Sequence, residues 1–438
     1  MRPAVTPAVT PEFAHSEERP LPKRASVVVI GGGVAGVSAA LTLAQWNVPV
    51  VLCEKGRIAG EQSSRNWGWI RKQGRDLREL PLMIESQQLW RRFDEQLDED
   101  IGLRTGGTTY LADNEKDLAG HADWLEQARD FQLDSRLLSR TETDAMLGQS
   151  ANRFVGALHT PSDIYAEPAR AVPAVARLAA AAGAEVFEGT AVRSIETAGG
   201  QVSQVVTEHG SIACEAVVLA GGVWSRPFME NLGLSLPQLA VQSSAQRTTE
   251  APLISNSTFG ASGASIRRRV DGGYTVARSG AARFDLIPAA FRHFFAFTPI
   301  LKDRWHIVKL RLGKAYFGPL GNHRWQADEA SPFEAVRVFD PAPDHRLLDS
   351  VLQSAKTLYP QLAEVRPVER WGGMIDVMPD EIPVIGPVAK LPGLVMATGL
   401  SGHGFGLGPG VGHLAAQLAT GRAPLVDPAP FSYERFGS

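Results

Sequence analysis

The stretch Ser26-Val-Val-Val-Ile-Gly-Gly-Gly-Val-Ala-Gly36 decides the fold. Its apolar first half is typical of a buried parallel strand, and it runs directly into the glycine turn Gly31-x-Gly33-x-x-Gly36. A second apolar run, Val50-Val-Leu-Cys-Glu54, follows at the spacing of a neighbouring parallel strand and ends in an acid. This order of strand, glycine turn, helix and acid-terminated strand predicts a site for a dinucleotide.

Each glycine of the turn has a distinct expected role. Gly31 permits the tight turn, Gly33 lets the backbone approach a pyrophosphate, and Gly36 lets the following helix pack closely on the sheet. The free N–H groups of a helix predicted over 37–45 then face the phosphates. Glu54 can accept hydrogen bonds from the ribose hydroxyls. The alternative is an ordinary glycine-rich turn between a strand and a helix.

Length, charge and cysteine content exclude several classes of protein. A chain of 438 residues is expected to form two or three domains. With a net charge of −3 and no long basic run, no nucleic-acid partner is expected. Two cysteines, Cys53 and Cys214, cannot by themselves form a disulfide framework or a metal site. This content fits a reducing cytoplasm, and no metal is expected.

The first 24 residues are expected to form a disordered leader without the apolar core of a secretory signal. No stretch approaches the roughly 20 apolar residues of a membrane span. The most apolar irregular segment is 287–301, which Arg292, His293 and two prolines interrupt. We interpret this segment as a surface cap, with a peripheral membrane or partner contact as the alternative.

The strand signals predict an α/β fold with a Rossmann-like domain and an inserted domain that is mainly antiparallel β-sheet with helices. The apolar strand Ala216-Val-Val-Leu-Ala220 is expected to join the first parallel sheet, and long helices are expected near 75–100, 168–182 and 407–418. The expected dinucleotide domain comprises residues 25–90, 155–228 and 369–438. The expected substrate or cap domain comprises residues 91–154 and 229–368.

Five motifs, taken together and in order, carry a resemblance to a known family. They are the glycine turn, Ser63-Ser-Arg-Asn66, Ala220-Gly-Gly-Val-Trp-Ser225, Trp371-Gly-Gly373 with Pro379-Asp380 and Pro383-Val-Ile-Gly386, and Gly402-His-Gly-Phe405. The chain resembles the superfamily of FAD-dependent amine oxidoreductases that contains D-amino-acid oxidase, glycine oxidase and sarcosine oxidase. Its pattern is most similar to members resembling γ-glutamylputrescine oxidase.

The resemblance implies an FAD cofactor and an FAD-binding domain of the glutathione-reductase type. It implies non-covalent attachment, because the segment 63–66 contains neither His nor Cys. The helix after Phe405 would point its N-terminus at the flavin. The implied cofactor-binding residues are Gly31, Gly33, Val34, Ala35, Gly36, Glu54, Lys55, Ser63, Ser64, Arg65, Asn66, Val192, Ala220, Gly221, Gly222, Trp224, Gly373, Gly402, His403, Gly404 and Phe405.

The resemblance also implies a reaction, in which a neutral amine or N-substituted amino acid gives a hydride to the flavin and the resulting imine hydrolyses to a carbonyl compound and an amine. Trp69, with Trp67, is a candidate aromatic wall, and His403 is a candidate for flavin or substrate contact. Their alternatives are core packing for the tryptophans, a turn filler for His403 and a surface ion pair for Arg65. The electron acceptor is expected to be oxygen or a respiratory carrier, and the enzyme can form a homo-oligomer.

One departure from the family bears on the substrate. Amino-acid-oxidising relatives carry an Arg four places after the Trp of the Trp371 motif, where it binds the substrate carboxylate. This chain has Ile375 there. We therefore expect simple α-amino acids to be poor substrates and primary or secondary amines, with or without a distant acid group, to be better. Arg278 and Arg311 are the fallback carboxylate partners.

Two other functions fit the same sequence. One is an FAD-dependent 2-hydroxy-acid dehydrogenase, which needs an activating base such as His403 or His306 beside the hydroxyl. The other is a subunit that holds flavin without catalysing a reaction.

Overall fold

The computed structural model describes residues 12–13, 19–148, 153–304 and 308–437. Most of the predicted leader and His306 lie outside these ranges. In the described part of the leader, the backbone N–H groups of Glu12 and Phe13 donate to a carboxylate oxygen of Glu188 at 2.8 and 2.9 Å. These two residues therefore lie against the folded chain.

A six-stranded sheet, called here the parallel sheet, forms the first layer of the fold. Its strands are short, apolar runs whose residues are almost all buried, as expected of strands covered on both faces. All neighbours pair in parallel except the antiparallel edge strand 384–387. Across the sheet, the strands are Val384–Pro387, Leu394–Thr398, Ala216–Leu219, Val27–Ile30, Val50–Cys53 and Glu185–Phe187. The predicted place of the strand near 216–220 is confirmed.

Helices from distant parts of the chain cover the parallel sheet. Helix Val34–Gln45 packs against helix Gly404–Ala419, and glycine permits their close approach. A Cβ atom on Gly412 would lie 2.4 Å from the Ala35 carbonyl oxygen, and one on Gly36 would lie 1.9 Å from the Gly31 oxygen. The close contact at Gly36 is thus with the glycine turn, and the expected packing of this helix on the sheet through Gly36 stays a prediction.

A ten-stranded sheet, called here the mixed sheet, forms the second layer. Most of its neighbours pair antiparallel, with parallel pairing only between 108–112 and 258–260 and between 282–285 and 308–311 among the described strands. This agrees with the predicted fold class. Its strands are Thr108–Ala112, Arg136–Ser139, Gly156–Thr160, Leu239–Thr248, Thr258–Gly260, Ser265–Arg268, Tyr274–Ala277, Ala282–Asp285, Val308–Arg311 and Pro367–Val377.

Two three-stranded sheets complete the β structure. They contain Val192–Ala198, Gln201–Thr207 and Gly210–Ala213, and Trp69–Ile70, Arg104–Thr105 and Ile164–Tyr165. The other α-helices are Gln62–Arg65, Leu80–Glu95, Glu115–Gln127, Arg140–Leu147, Pro168–Ala181, Ser225–Asn231, Pro288–Arg292, Phe294–Arg304, Pro332–Ala335 and His345–Leu358. Short 3-10 turns are Arg129–Phe131, Gly222–Trp224, Lys314–Phe317, Pro360–Leu362, Ala429–Phe431 and Tyr433–Phe436.

Several elements differ in extent from the prediction. The helix expected near 75–100 covers only Leu80–Glu95, because Glu79 and the residues before it form turns. The helices expected to begin at 37 and 407 begin three residues earlier. Their glycine-rich first turns are helical although they resemble loop sequences. The irregular segment 287–301 forms parts of two helices, 288–292 and 294–304.

Candidate active site

A cavity of about 160 Å³, called here the nucleotide cavity, lies at the carboxyl ends of the parallel strands. Its walls contain most of the residues predicted to bind a cofactor. These are Gly31, Gly33, Val34, Ala35, Glu54, Lys55, Ser63, Asn66, Val192, Ala220, Gly221, Gly222, Trp224, Gly402, Gly404 and Phe405. Such crevices outside the carboxyl ends of parallel strands are where open α/β sheets bind ligands.

The N-termini of two helices meet at this cavity. Gly33 caps one helix and His403 the other, and neither helix has a side-chain cap or an acidic residue in its first turn. In the described chain, Ser63 Oγ accepts the Val34 N–H at 2.9 Å. The N–H groups of Gly33, Ala35 and Gly404 have no such acceptor there. Free N–H groups at the positive ends of two helix dipoles fit an anionic ligand.

Glu54 also lines the nucleotide cavity. Its two carboxylate oxygens accept the N–H groups of Gly32 and Gly56 at 2.6 and 2.7 Å. Each oxygen retains a further lone pair for a hydroxyl donor. Burial raises the pKa of Glu54, although Lys55 and the two N–H donors oppose the shift. The carboxylate is thus fixed in place before any ribose binds.

Lys55 and Trp224 form a cluster with Glu61 beside the cavity. The ammonium of Lys55 donates to Glu61 at 2.7 Å and to the carbonyls of Val336 and Arg337 at 2.8 and 2.9 Å. It also lies 4.4 Å from the centre of the Trp224 ring. Both residues therefore line the cavity while their polar atoms bind protein groups, so their contribution to cofactor binding stays a prediction.

The residues of segment 63–66 differ in their hydrogen bonds and in whether they line a cavity. Asn66 holds the turn that follows, because its amide donates to the Ser63 carbonyl at 2.9 Å and accepts the Gly68 N–H at 2.8 Å. Ser64 donates to the Glu61 carbonyl at 3.2 Å and lines neither cavity described here. Arg65 is buried and not at the surface. Its guanidinium donates to the Phe339 and Gly60 carbonyls at 2.8 and 3.1 Å, and burial lowers its pKa.

A second cavity of about 510 Å³, called here the apolar cavity, adjoins the first. The two share the walls formed by Gln62, Asn66, Ile375, Gly402 and Phe405. The apolar cavity is lined mainly by aromatic and aliphatic side chains, among them Trp67, Trp69, Tyr110, Phe284, Phe291, Phe294, Phe297, Ile300 and Leu310. Gly373, predicted to bind the cofactor, lies in this cavity and not in the smaller one.

Trp67, Trp69 and Tyr110 form one aromatic wall. The rings of Trp67 and Trp69 meet edge to face at 5.8 Å, and Trp69 lies 6.3 Å from Tyr110. A buried ion pair supports this wall from behind, because Arg267 donates from Nε to the Trp67 carbonyl at 2.6 Å. Arg267 also binds the buried carboxylate of Glu167 at 2.9 Å.

His403 lines the apolar cavity and hydrogen-bonds to Glu79 through Nδ1, at 3.2 and 3.1 Å from the two carboxylate oxygens. A carboxylate only accepts, so Nδ1 carries the proton and Nε2 keeps a lone pair. Burial and the charge of Arg75 lower the pKa of His403 to about 4, although Glu79 opposes the shift. The imidazole is therefore neutral at pH 7.

The structure places the two fallback arginines differently. Arg278 follows strand Tyr274–Ala277 and lines the apolar cavity, and no described side chain accepts a hydrogen bond from it. Arg278 and Arg311 are both exposed, but Arg311 lines neither cavity. Ile375, where relatives carry an Arg, lies in the wall between the cavities. Arg278 is thus a cavity arginine for which the described chain shows no hydrogen-bond acceptor; Arg71 and Arg75 also line this cavity and donate to the backbone carbonyls of Gln73 and Arg71.

No metal site accompanies these cavities: the described residues contain no group of three or more His, Cys, Asp or Glu side chains that could hold an ion. Both cysteines are buried, and burial raises the pKa of the Cys53 and Cys214 thiols to about 12. A search of the described helices for a span that could cross a membrane finds no candidate.

The parallel sheet, the glycine turn and the two joined cavities define a dinucleotide-binding oxidoreductase. Residues 26–418 match the family described as FAD dependent oxidoreductase, DAO, and the chain belongs to this family.

Relatives span nearly the whole chain. Glycine oxidase of Pseudomonas aeruginosa is 28% identical over 93% of this chain and 98% of its own length. The solved structure of L-amino acid deaminase from Proteus myxofaciens, in complex with anthranilate, has a TM-score of 0.92 at 33% identity and covers 99% of this chain and 98% of its own. The structure of glycine oxidase from Geobacillus kaustophilus, with a TM-score of 0.75 at 24% identity over 94% of this chain and 98% of its own, shares the fold.

These findings confirm the predicted class of enzyme, an FAD-dependent oxidoreductase that oxidises a C–N bond of an amine or amino acid. The geometry also fits the cofactor. Two uncapped helix N-termini suit the pyrophosphate, and Glu54 suits a ribose. The likeness to γ-glutamylputrescine oxidase stays a prediction.

The sequence reasoning missed Glu79 and Gln62. Glu79 lies in a turn before a helix, and its spacing from His403 along the chain carries no signal. Gln62 directly precedes the segment 63–66, so its adjacency to that motif could have indicated it.

Proposed function

We propose that this enzyme oxidatively deaminates L-α-amino acids with large apolar side chains. The observation that carries the proposal is the guanidinium of Arg278, which has no hydrogen-bond acceptor among the described residues and lies in the wall of a mainly apolar cavity. An unpaired cation at a mainly apolar cavity suits a ligand that has an anionic group at one end and an apolar group at the other. The L-amino acid deaminase relative supports it, since its structure holds anthranilate, an aromatic carboxylate with an amine.

Different residues of the apolar cavity bind different parts of the substrate. Arg278 binds the α-carboxylate through a charge-assisted pair, and the wall of Trp67, Trp69 and Tyr110 excludes water beside the side chain. The Nε2 lone pair of neutral His403 accepts a hydrogen bond from the substrate amine. Bound FAD supplies the chemistry by accepting a hydride from the α-carbon. The free helix N-terminus at Gly404 stabilises negative charge that develops nearby.

The expectation that amines are better substrates than α-amino acids is reversed here, whereas glycine and D-alanine are still expected to be poor substrates. Ile375 removes the family's carboxylate partner at that position, and Arg278 replaces it from a different strand. Glycine and D-alanine remain poor substrates because neither fills the apolar cavity. Amines without a carboxylate leave Arg278 unpaired, so they are expected to bind more weakly than amino acids.

The test is anaerobic reduction of the bound flavin by L-phenylalanine and by phenethylamine, which differ only in the carboxylate. L-Phenylalanine should reduce the flavin at a concentration about 100-fold lower. Arg278→Ala should raise its half-saturation concentration about 100-fold, equivalent to ~2.7 kcal/mol, and leave phenethylamine unchanged. The matched control Arg311→Ala should behave as the wild type. Faster reduction by phenethylamine, or by 2-hydroxy acids, would refute the proposal.

The proposal also includes the electron acceptor, the location and the assembly state of the enzyme. Oxygen or a respiratory carrier reoxidises the flavin, the protein works in the cytoplasm, and it can form a homo-oligomer. Mixing the reduced enzyme with aerated buffer or with a quinone, and following the return of flavin absorbance, separates the two acceptors.

A further inference from the structure

The wall of the apolar cavity carries more positive than negative charge. Among its described residues are four arginines, Arg65, Arg71, Arg75 and Arg278, and one acidic residue, Glu381. The guanidinium of Arg65 donates to backbone carbonyls, and Arg278 binds the α-carboxylate in the proposed function. Arg71 and Arg75, called here the arginine pair, have no part in that function.

Arg75 is a buried cation whose hydrogen bonds are incomplete. It is 4% exposed, and its Nε donates to the Arg71 carbonyl at 3.2 Å. Its Nη1 is buried and has no hydrogen-bond partner among the described residues. Burial and the charge of Arg71 lower the pKa of Arg75 to about 10, although Glu79 opposes the shift, so the guanidinium is charged at pH 7. A buried charge with an unsatisfied N–H group destabilises the site until an acceptor binds there.

The carboxylates near the arginine pair bind other groups. Two of them attract the Arg75 charge, those of Glu79 and Asp163. Glu79 accepts from Nδ1 of His403 at 3.1 Å, and Asp163 accepts the backbone N–H of Lys72 at 2.8 Å. Within the described chain, neither carboxylate forms an ion pair with the arginine pair. The pair therefore lacks an anion that a ligand could supply.

The arginine pair lies apart from Arg278 in the cavity wall. The guanidinium of Arg71 lies over the ring of Tyr110, 5.3 Å from its centre. In the mixed sheet, the strand that leads to Arg278 is the third strand from that of Tyr110. At the usual spacing of neighbouring strands, these two strands are about 14 Å apart. A ligand that reaches both positions needs two anionic groups with an apolar part between them.

We propose that the arginine pair is a second anion subsite, which binds a carboxylate at the far end of the substrate's side chain. The substrates are then L-α-amino acids whose apolar side chain ends in a carboxylate. This inference rests on the proposed function, because Arg278 there binds the α-carboxylate. The aromatic wall of Trp67, Trp69 and Tyr110 contacts the apolar part between the two charges. Guanidinium groups suit such a carboxylate, since their planar N–H donors match its two oxygens.

The first test measures binding without catalysis. Terephthalate carries two carboxylates on a benzene ring, whereas 4-carbamoylbenzoate has a neutral amide of similar shape in place of one of them. Each is titrated into the full chain with bound FAD, and the change in flavin absorbance is followed. Terephthalate should bind about tenfold more tightly or better, as expected for a hydrogen bond between charged groups. Arg75→Gln should abolish this preference. Arg71→Gln should do the same at a half-buried position, which keeps the test valid if Arg75→Gln fails to fold.

The matched control is Arg78→Gln. Arg78 lies in the same segment, pairs with Asp76 at 2.9 Å and lines neither cavity described here. This variant should keep the wild-type preference for terephthalate.

The second test compares flavin reduction by 4-carboxy-L-phenylalanine and 4-carbamoyl-L-phenylalanine. The carboxylate compound should reach half-saturation at a concentration about tenfold lower, and Arg75→Gln should remove this difference.

Equal affinity of the wild type for terephthalate and 4-carbamoylbenzoate would overturn the proposal, as would an unchanged preference in both Arg75→Gln and Arg71→Gln. Tighter binding of L-phenylalanine in the presence of acetate, lost in Arg75→Gln, would show that a separate carboxylate occupies the pair, and this would overturn the substrate class. Failure of L-phenylalanine to reduce the flavin, with the preference for terephthalate intact, would refute the proposed function alone, because the titration involves no turnover.

Discussion

Replacing Glu167 by glutamine should destabilise the fold through one buried charge. Glu167 is 3% exposed and Arg267 is 1% exposed. The carboxylate accepts from Arg267 at 2.9 and 3.2 Å, and Arg269 lies 3.2 Å from it. In Glu167→Gln, the Arg267 charge keeps its buried position without a counterion. Breaking a buried pair in this way typically costs about 3–5 kcal/mol.

The assay is urea unfolding of Glu167→Gln beside the matched control Glu126→Gln. The control removes an ion pair to Arg129 whose two side chains are 69% and 71% exposed, so it should cost less than about 1 kcal/mol. Because Arg267 also holds the Trp67 carbonyl, Glu167→Gln should in addition weaken substrate binding. Equal effects of the two substitutions on the free energy of unfolding would refute the reasoning.

The loss of unfolding free energy in Glu167→Gln should depend on pH in a defined direction. Burial raises the pKa of Glu167, but attraction to Arg267 and Arg269 outweighs it and the pKa lies below its usual value. A carboxyl with a lowered pKa in the folded state stabilises the fold above its unfolded pKa and loses that effect as the pH falls. The difference in free energy of unfolding between wild type and Glu167→Gln should therefore be largest near neutral pH. It should shrink below about pH 4.5.

Four further predictions concern the cofactor and the imidazole of His403. Gly33→Val should abolish FAD binding, read as loss of yellow colour, because a branched side chain would enter the cavity beside the free N–H groups; stoichiometric FAD in this variant would contradict that reading. Acid precipitation should release FAD into the supernatant, since the Cys53 thiol, with its pKa near 12, is not a nucleophile at neutral pH; colour in the washed pellet would contradict it. His403→Phe should slow flavin reduction by L-phenylalanine about 10- to 100-fold with FAD retained, and Glu79→Leu should act in the same direction. Since the pKa of His403 is about 4, its loss of activity by protonation should occur only below about pH 5, and an acidic limb near pH 6.5 that His403→Phe removes would refute this.

The fold was largely predictable because its signals are local. The apolar run 26–30, the glycine turn and the strand 216–219 each specify their own conformation and burial, and together they specify a parallel sheet. The same local motifs line the nucleotide cavity, since most of the residues predicted to contact the cofactor lie in its wall. Helix starts were less accurate, because glycine-rich first turns resemble loops.

The apolar cavity was less predictable because its walls come from contacts between distant segments. Glu79 and His403 are 324 residues apart and meet only after folding. Arg278 could be proposed as a carboxylate partner from its strand, but no sequence signal separated it from Arg311. The folded structure separates them, since Arg278 lines the apolar cavity whereas Arg311 lines neither cavity.

The meeting of two helix N-termini at one cavity has a consequence for how the protein is made. The glycine turn is complete once residue 36 has been synthesised, whereas the second helix begins at Gly404. At ribosomal rates of about 5–20 residues per second, the interval between them is roughly 20 to 70 s. During this time the nascent chain lacks one wall of the cofactor site. Capture of FAD therefore has to wait until synthesis is almost finished, and it then locks the first and last parts of the chain together.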